Sequence, residues 1–253
     1  MEIYVVDAFT DRPFRGNPAG VVLLTEPRDA AWMQDIAAEM RHTETAFVDP
    51  SVDPHPLRWF TPTIEVDLCG HATLATAHVL GGDRRFTTRS GILTTRQSGD
   101  YIEMDFPADP PEPVDELPVL AKALPGMTIK AVAKGVSDYL VEVADANEVR
   151  ALRPDFQALE QISSRGVIVT ARHDGAEDVI SRCFYPNSGM PEDPVTGSAH
   201  CTLASYWAPR LGTADLLAEQ ASARGGHVRM TLEDDRVRLA GTAVTVLRGQ
   251  LSV

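Results

Sequence analysis

Arg58-Trp59-Phe60-Thr61-Pro62 is answered later in the chain by Arg182-Cys183-Phe184-Tyr185-Pro186. Two further correspondences follow in the same order. Gly70-His71-Ala72 parallels Gly197-Ser198-Ala199, and Arg89-Ser90-Gly91-Ile92-Leu93 parallels Arg224-Gly225-Gly226-His227-Val228. Any one of these could arise by chance. Three in the same order, with a separation that widens as small insertions would widen it, point to a duplicated domain.

Working outward from these motifs, alternating apolar positions read as strands at 2–7, 21–24, 46–48, 91–97 and 101–106. Residues 29–40 read as a helix with Trp32, Met33, Ile36 and Met40 on one face. Residues 72–80 and 199–207 are small or apolar all round, so each reads as a helix buried inside a wrap of strands. The second half gives strands at 129–134, 139–143, 167–171, 179–184, 228–232, 237–239 and 243–247. Between the halves lies Pro107-Ala108-Asp109-Pro110-Pro111-Glu112-Pro113, a run too rich in proline for a ladder or a helix interior. The expected organisation is therefore an α+β chain of two domains, 1–113 and 114–242, with the strand at 243–253 a candidate to join the first.

Composition narrows the function. Over 253 residues, 23 basic against 36 acidic side chains leave a net charge of −13. Such a chain lacks the basic stripe that tracks phosphates and the polybasic patch that binds membranes. The longest apolar runs, such as Gly20-Val21-Val22-Leu23-Leu24, fall far short of the ~18 residues of a membrane helix. The opening Met1-Glu2-Ile3-Tyr4-Val5-Val6-Asp7 lacks the basic start of a secretory leader. Cys69, Cys183 and Cys201 form neither a disulfide framework nor a zinc pattern, and a reducing cytoplasm is the natural setting. No phosphate-binding glycine loop and no metalloprotease motif occurs, and no metal is expected.

Chemistry concentrates in two loops. Each leads to a glycine, Gly70 or Gly197, that opens a buried helix. Taken singly these glycines read as tight-turn residues. Repeated, they read as two helix N-termini whose N–H groups could bind a carboxylate. The loops carry Glu65, Asp67, Cys69 and His71, and then Glu192, Asp193, Thr196, Ser198 and His200. Cys69 and His71 are two residues apart, so on a shared helix they would not face one another as nucleophile and base. Metal binding finds no ligand spacing on a single element.

Thr43-Glu44-Thr45-Ala46-Phe47-Val48, Phe60-Thr61-Pro62, Leu68-Cys69-Gly70-His71-Ala72-Thr73 and Glu192-Asp193-Pro194-Val195-Thr196-Gly197-Ser198-Ala199 resemble the PhzF-like phenazine-biosynthesis family. Asp7-Ala8-Phe9-Thr10, Gly16-Asn17-Pro18-Ala19-Gly20-Val21 and Gln220-Ala221-Ser222-Ala223-Arg224-Gly225-Gly226 fit it as well. The resemblance implies the diaminopimelate-epimerase-like fold, with each domain a curved sheet or barrel around a central helix and the active site between them. It implies a cofactor-free isomerase, with dihydro-hydroxyanthranilate as the phenazine member's substrate. It matches Glu44 to the acid/base carboxylate. Gly70, His71, Asp193, Gly197 and Ser198 match substrate-binding or proton-relaying positions, and Cys69 and Asn17 are accessory candidates. It also implies a homodimer. Related racemases use a cysteine from each domain. Cys69 fills the first of those positions, but 192–196 holds no cysteine, so a two-thiol racemase is disfavoured. The rival readings are an epimerase or racemase using Glu44 or Cys69, and a small-molecule binding protein that has lost the chemistry.

Overall fold

The computed structural model describes residues 1–115, 117–188 and 190–253. The chain is α+β and divides into two compact units, Met1–Asp105 with Ala240–Val253, and Phe106–Leu239. The first runs through β1 (Glu2–Ala8), β2 (Asn17–Leu23), α1 (Ala30–Met40), β3 (Glu44–Val48), β4 (His55–Phe60), β5 (Glu65–Val66), α2 (Gly70–Leu80), β6 (Arg84–Thr88), β7 (Gly91–Ser98) and β8 (Tyr101–Pro107). The second runs through β9 (Glu112–Pro113), α3 (Pro118–Ala123), β10 (Ala131–Lys134), β11 (Asp138–Glu142), α4 (Ala146–Ala151), α5 (Phe156–Leu159), β12 (Gly166–Arg172), β13 (Val179–Tyr185), β14 (Met190–Asp193), α6 (Gly197–Leu211), β15 (Asp215–Gln220), β16 (Gly226–Glu233) and β17 (Arg236–Gly241). The last strand, β18 (Ala243–Gln250), returns to the first unit and pairs antiparallel with β1.

The duplication is written in the strand pairing. In the first unit β1 pairs antiparallel with β2, β2 parallel with β3, β3 antiparallel with β4, and β4 both antiparallel with β5 and parallel with β6. In the second, β10 pairs antiparallel with β11, β11 parallel with β12, β12 antiparallel with β13, and β13 both antiparallel with β14 and parallel with β15. The hairpins β6–β7 and β15–β16 close the two series. Even the faint third sequence correspondence is structural, since Gly91 opens β7 and Gly226 opens β16.

The repeated Arg-x-Phe serves the same purpose in both units. Arg58 of β4 grips Glu65 of β5 with Nε and one terminal nitrogen at 2.7 and 2.8 Å, and its guanidinium lies over the Phe60 ring at 5.2 Å. Arg182 of β13 grips Glu192 of β14 at 2.7 and 2.9 Å and lies over Phe184 at 5.1 Å. Such forked, charge-assisted pairs fix the short strands β5 and β14 against their neighbours and so aim the loops that follow.

Local chemistry explains where the helices stand. Asp29 caps α1 by accepting the Trp32 N–H at 2.8 Å, and Arg41 in the left-handed region ends it, which delivers the chain to Glu44 at the first residue of β3. The apolar face of α1 meets Phe47 and Phe60, with Trp32–Phe47 and Phe47–Phe60 in edge-to-face contact. Burying side chains of that size contributes about 1.5–3 kcal/mol each. From His71 through Ala77 every residue of α2 is buried, and the helix packs on β1, β2, β3 and β18. Likewise α6 packs on β15 and β16, and it continues to Leu211 with Pro209 in its last turn, where a missing N–H costs one bond.

Two expectations are corrected. The units divide at Asp105/Phe106, before the proline-rich stretch and not at Pro113. That stretch also holds a ladder after all, because Glu112–Pro113 pairs with β10 as a two-residue edge where proline's missing donor is harmless. Its Asp109 accepts from the Val136 N–H at 2.9 Å and the Thr202 hydroxyl at 2.7 Å, which binds it to the second unit. The strands β4, β5, β6, β14 and β15 and the helices α3, α4 and α5 are additions that periodicity did not single out. No helix among the described residues is long and apolar enough to cross a membrane.

Candidate active site

In the first unit, Glu44, Cys69 and His71 arrive from three places: the start of β3, the residue before α2, and the first turn of α2. His71 is buried at 6 % exposure, while the Glu44 side chain keeps 20 %. The carboxylate Oε2 lies 3.4 Å from His71 Nε2. The Thr43 hydroxyl is 3.0 Å from the same nitrogen. On the other ring edge, Asn17 Nδ2 stands 3.3 Å and Cys69 Sγ 3.5 Å from Nδ1.

The expectation that Cys69 and His71 cannot face each other is therefore overturned. It assumed a shared helix, but Cys69 is the N-cap residue, extended at φ −145° and ψ 107°, and its side chain turns back to the ring. Burial pushes the His71 pKa down to about 3, with His42 a smaller influence in the same direction. The ring is thus neutral near pH 7, and its contact with Glu44 joins a carboxyl group to an uncharged imidazole.

In the second unit, Gly197 is buried at the start of α6 and Ser198 is exposed beside it. Arg165 donates to the Ser198 hydroxyl at 3.0 Å. Its guanidinium is held by Asp138, through Nε at 2.9 Å and through a second, very short contact. Asp138 is only 2 % exposed, and Tyr185 donates to it at 3.4 Å. Burial raises the Tyr185 and Cys183 pKa values well above normal, so neither is an available anion near neutrality. Asp193 closes β14 and accepts from the Thr196 hydroxyl at 2.6 Å, while Gln220 bridges the Asp193 carbonyl and the Thr196 N–H.

The two site helices, like the short α3 behind Leu117, have no side-chain N-cap. Asp29, Asp145 and Asp155 cap α1, α4 and α5 with their carboxylates, whereas neither Cys69 nor Thr196 bonds a first-turn N–H with its side chain. First-turn N–H groups left without a side-chain cap attract anions. Equivalent back-bonds also recur: Thr73 donates its hydroxyl to the Cys69 carbonyl at 2.6 Å, and His200 Nδ1 lies 2.7 Å from the Thr196 carbonyl.

Two groups of potential metal ligands occur among the described residues. In Glu44, Cys69 and His71, the thiol faces one ring nitrogen and the carboxylate the other, which suits hydrogen bonding better than joint coordination of one ion. In His173, Glu177 and Glu219, the Arg150 guanidinium already stands 2.5 Å from Glu219 and 2.8 Å from His173 Nε2, where a cation would sit.

The structure thus gathers Asn17, Glu44, Cys69, Gly70 and His71 in the first unit, and Asp193, Gly197 and Ser198 in the second. Sequence reasoning assigned no role to Thr43, Asp138 or Arg165. Thr43 stood inside a quoted motif, but the Asp138–Arg165 pair joins the first residue of β11 to the residue before β12 and had no signal in the chain.

A sequence model of the family described as phenazine biosynthesis-like protein (PhzC-PhzF) matches residues 6–249. An uncharacterized isomerase of Halalkalibacterium halodurans is 49% identical over 98% of this chain and 97% of that protein. A second uncharacterized isomerase, from Pseudomonas aeruginosa, is 48% identical over 99% and 98%. The crystal structure of a phenazine biosynthesis protein of the PhzF family from Enterococcus faecalis superposes with a TM-score of 0.96 at 41% identity, over 100% of this chain and 99% of that one.

Proposed function

The chain belongs to the phenazine biosynthesis-like (PhzC-PhzF) family, and we propose that it moves a proton within a small carboxylate-bearing metabolite, without a cofactor, using Glu44 as acid and base. It is an isomerase, as its relatives at 49% and 48% identity are named. The observation that carries the finer reading is the Glu44 carboxyl, open enough to meet a substrate yet resting on the buried, neutral His71.

In this reading Glu44 removes a proton from carbon and becomes a carboxylic acid. It then returns the proton to another carbon of the same molecule, so no co-reactant is consumed. The His71 ring next to Oε2 steadies the carboxyl and takes part in the relay. The uncapped first turns of α2 and α6, with Gly70, Gly197 and Ser198, bind the substrate carboxylate and the enolate-like charge that develops. Asp193 holds a substrate amino or hydroxyl group. The substrate is of the dihydro-hydroxyanthranilate class. A homodimer and a cytoplasmic location complete the reading. The first rests on the family and the second on three cysteines of which none forms a disulfide.

Incubation with dihydro-hydroxyanthranilate and a panel of small carboxylates in D2O, following both product and carbon-bound deuterium, tests the proposal. Isomerised product supports it. Tight binding with neither product nor exchange favours a binding protein. Light scattering that returns only a 27.5 kDa species rejects the dimer. The Cys69–His71 contact favours one second reading, an epimerase in which the thiol exchanges the proton, and the substitutions discussed below separate the two.

A further inference from the structure

We infer that Thr43 is a positioning residue that, together with Asn17, holds His71 in the tautomer carrying its proton on Nε2, on the side of Glu44. The functional consequence rests on the reading of Glu44 as the acid/base; the tautomer itself does not.

The inference follows from counting protons. A threonine hydroxyl has one hydrogen to give. The Thr43 oxygen has three close partners: Asn17 Oδ1 at 3.0 Å, the Pro18 carbonyl at 3.1 Å and His71 Nε2 at 3.0 Å. The first two can only accept. If Nε2 also accepted, one hydrogen would face three acceptors, two of them left against a bare lone pair. A ring that donates from Nε2 eases the conflict, because the hydroxyl then receives one proton and its own hydrogen is shared by two carbonyl oxygens instead of three acceptors.

The opposite edge agrees. With Oδ1 turned to Thr43, Asn17 presents its Nδ2, a pure donor, to Nδ1 at 3.3 Å, and the Cys69 thiol at 3.5 Å can donate there too. Glu44 agrees as well, because an ionised carboxylate only accepts, and Oε2 at 3.4 Å from Nε2 shares that N–H with the nearer Thr43 hydroxyl. Because His71 is buried and neutral, it has one donor and one acceptor and cannot satisfy both edges by taking a second proton. The consequence is directional. The ring presents N–H, never a lone pair, to the carboxyl group that must shed and regain a proton. The opposite tautomer would set two lone-pair-bearing atoms against each other each time Glu44 ionised.

The test is a two-bond 1H–15N correlation spectrum of the ligand-free protein at pH 7.5 with ring-labelled histidine, the His71 signals being those lost in His71→Gln. The expected result is a pyrrole-like Nε2 and a pyridine-like Nδ1. Thr43→Val should move both shifts toward a tautomer mixture, and Thr43→Ser should restore them. A pyridine-like Nε2 in the unaltered protein overturns the inference, whatever Thr43→Val does. Shifts unmoved by Thr43→Val overturn the part given to Thr43. Turnover of dihydro-hydroxyanthranilate by Thr43→Val should show kcat down about ten-fold with KM little changed, well short of the roughly 10⁴-fold that a wrong tautomer costs a serine-protease triad. A moved spectrum with unchanged kcat leaves the tautomer lock standing and counts against His71 acting in proton transfer.

Discussion

Lowering the pH from 7.5 to 5.5 should destabilise this protein by about 2.8 kcal/mol through two buried histidines alone. Free histidine titrates near 6.5, whereas burial depresses His71 to about 3 and His200 to about 4. Both pKa values fall on folding, so the folded state refuses protons that the unfolded chain accepts. Their full stability is present above pH 6.5 and is lost as the pH drops toward the folded values. At pH 5.5 the unfolded ring is about ten-to-one protonated and the folded ring neutral, which costs about 1.4 kcal/mol per ring. The figure is insensitive to whether a folded value is 3 or 4, since either ring is neutral at 5.5. Ordinary carboxylates remain ionised there, so they do not blur the comparison. Urea unfolding at the two pH values measures the loss. His71 lies in the first unit and His200 in the second, so each shift should appear in its own unit's transition if the two separate. In His200→Gln the overall loss should halve. A flat response between 7.5 and 5.5, or an undiminished one in both His200→Gln and His71→Gln, would refute the reasoning.

Three other outcomes are expected. Glu44→Gln keeps size and hydrogen bonding but cannot take a proton, so carbon-bound deuterium and product should fall about 10²–10⁴-fold, against about ten-fold or less for Cys69→Ser. A dead serine variant beside an active glutamine variant would assign the chemistry to the thiol. Arg182→Met should cost about 3–5 kcal/mol in urea unfolding, because its side chain is 9 % exposed and also serves the Val149 and Leu152 carbonyls. Arg58→Met, at 31 % exposure, should cost about 1 kcal/mol or less, and equal losses would show that burial does not set the difference. Gly166→Ala would place a methyl 2.2 Å from the Tyr185 ring and 2.6 Å from the Phe184 carbonyl, so a loss of about 1–3 kcal/mol is expected, and an unchanged melting temperature contradicts the packing.

The chain alone settled whatever depends on local pattern. The Arg-x-Phe and Gly-x-Ala repeats announced the duplication, and uniform small-residue burial marked α2 and α6, because a helix without a polar face must be enclosed. Motifs around Glu44, Gly70, His71 and Asp193 were legible because they are contiguous. The proline-rich stretch misled for the same local reason: proline forbids a central ladder, but only tertiary structure says that Glu112–Pro113 lies at an edge. The partners of His71 were decided at long range, with Asn17 and Thr43 brought from β2 and the start of β3 to a ring on α2. Cys69 was misjudged because one residue's backbone, extended at the cap, turns its thiol toward that ring. Side-chain chemistry can be read from a sequence. Which lone pair a proton faces depends on several segments meeting in one buried place, where desolvation keeps the imidazole neutral and makes the direction of each hydrogen bond matter.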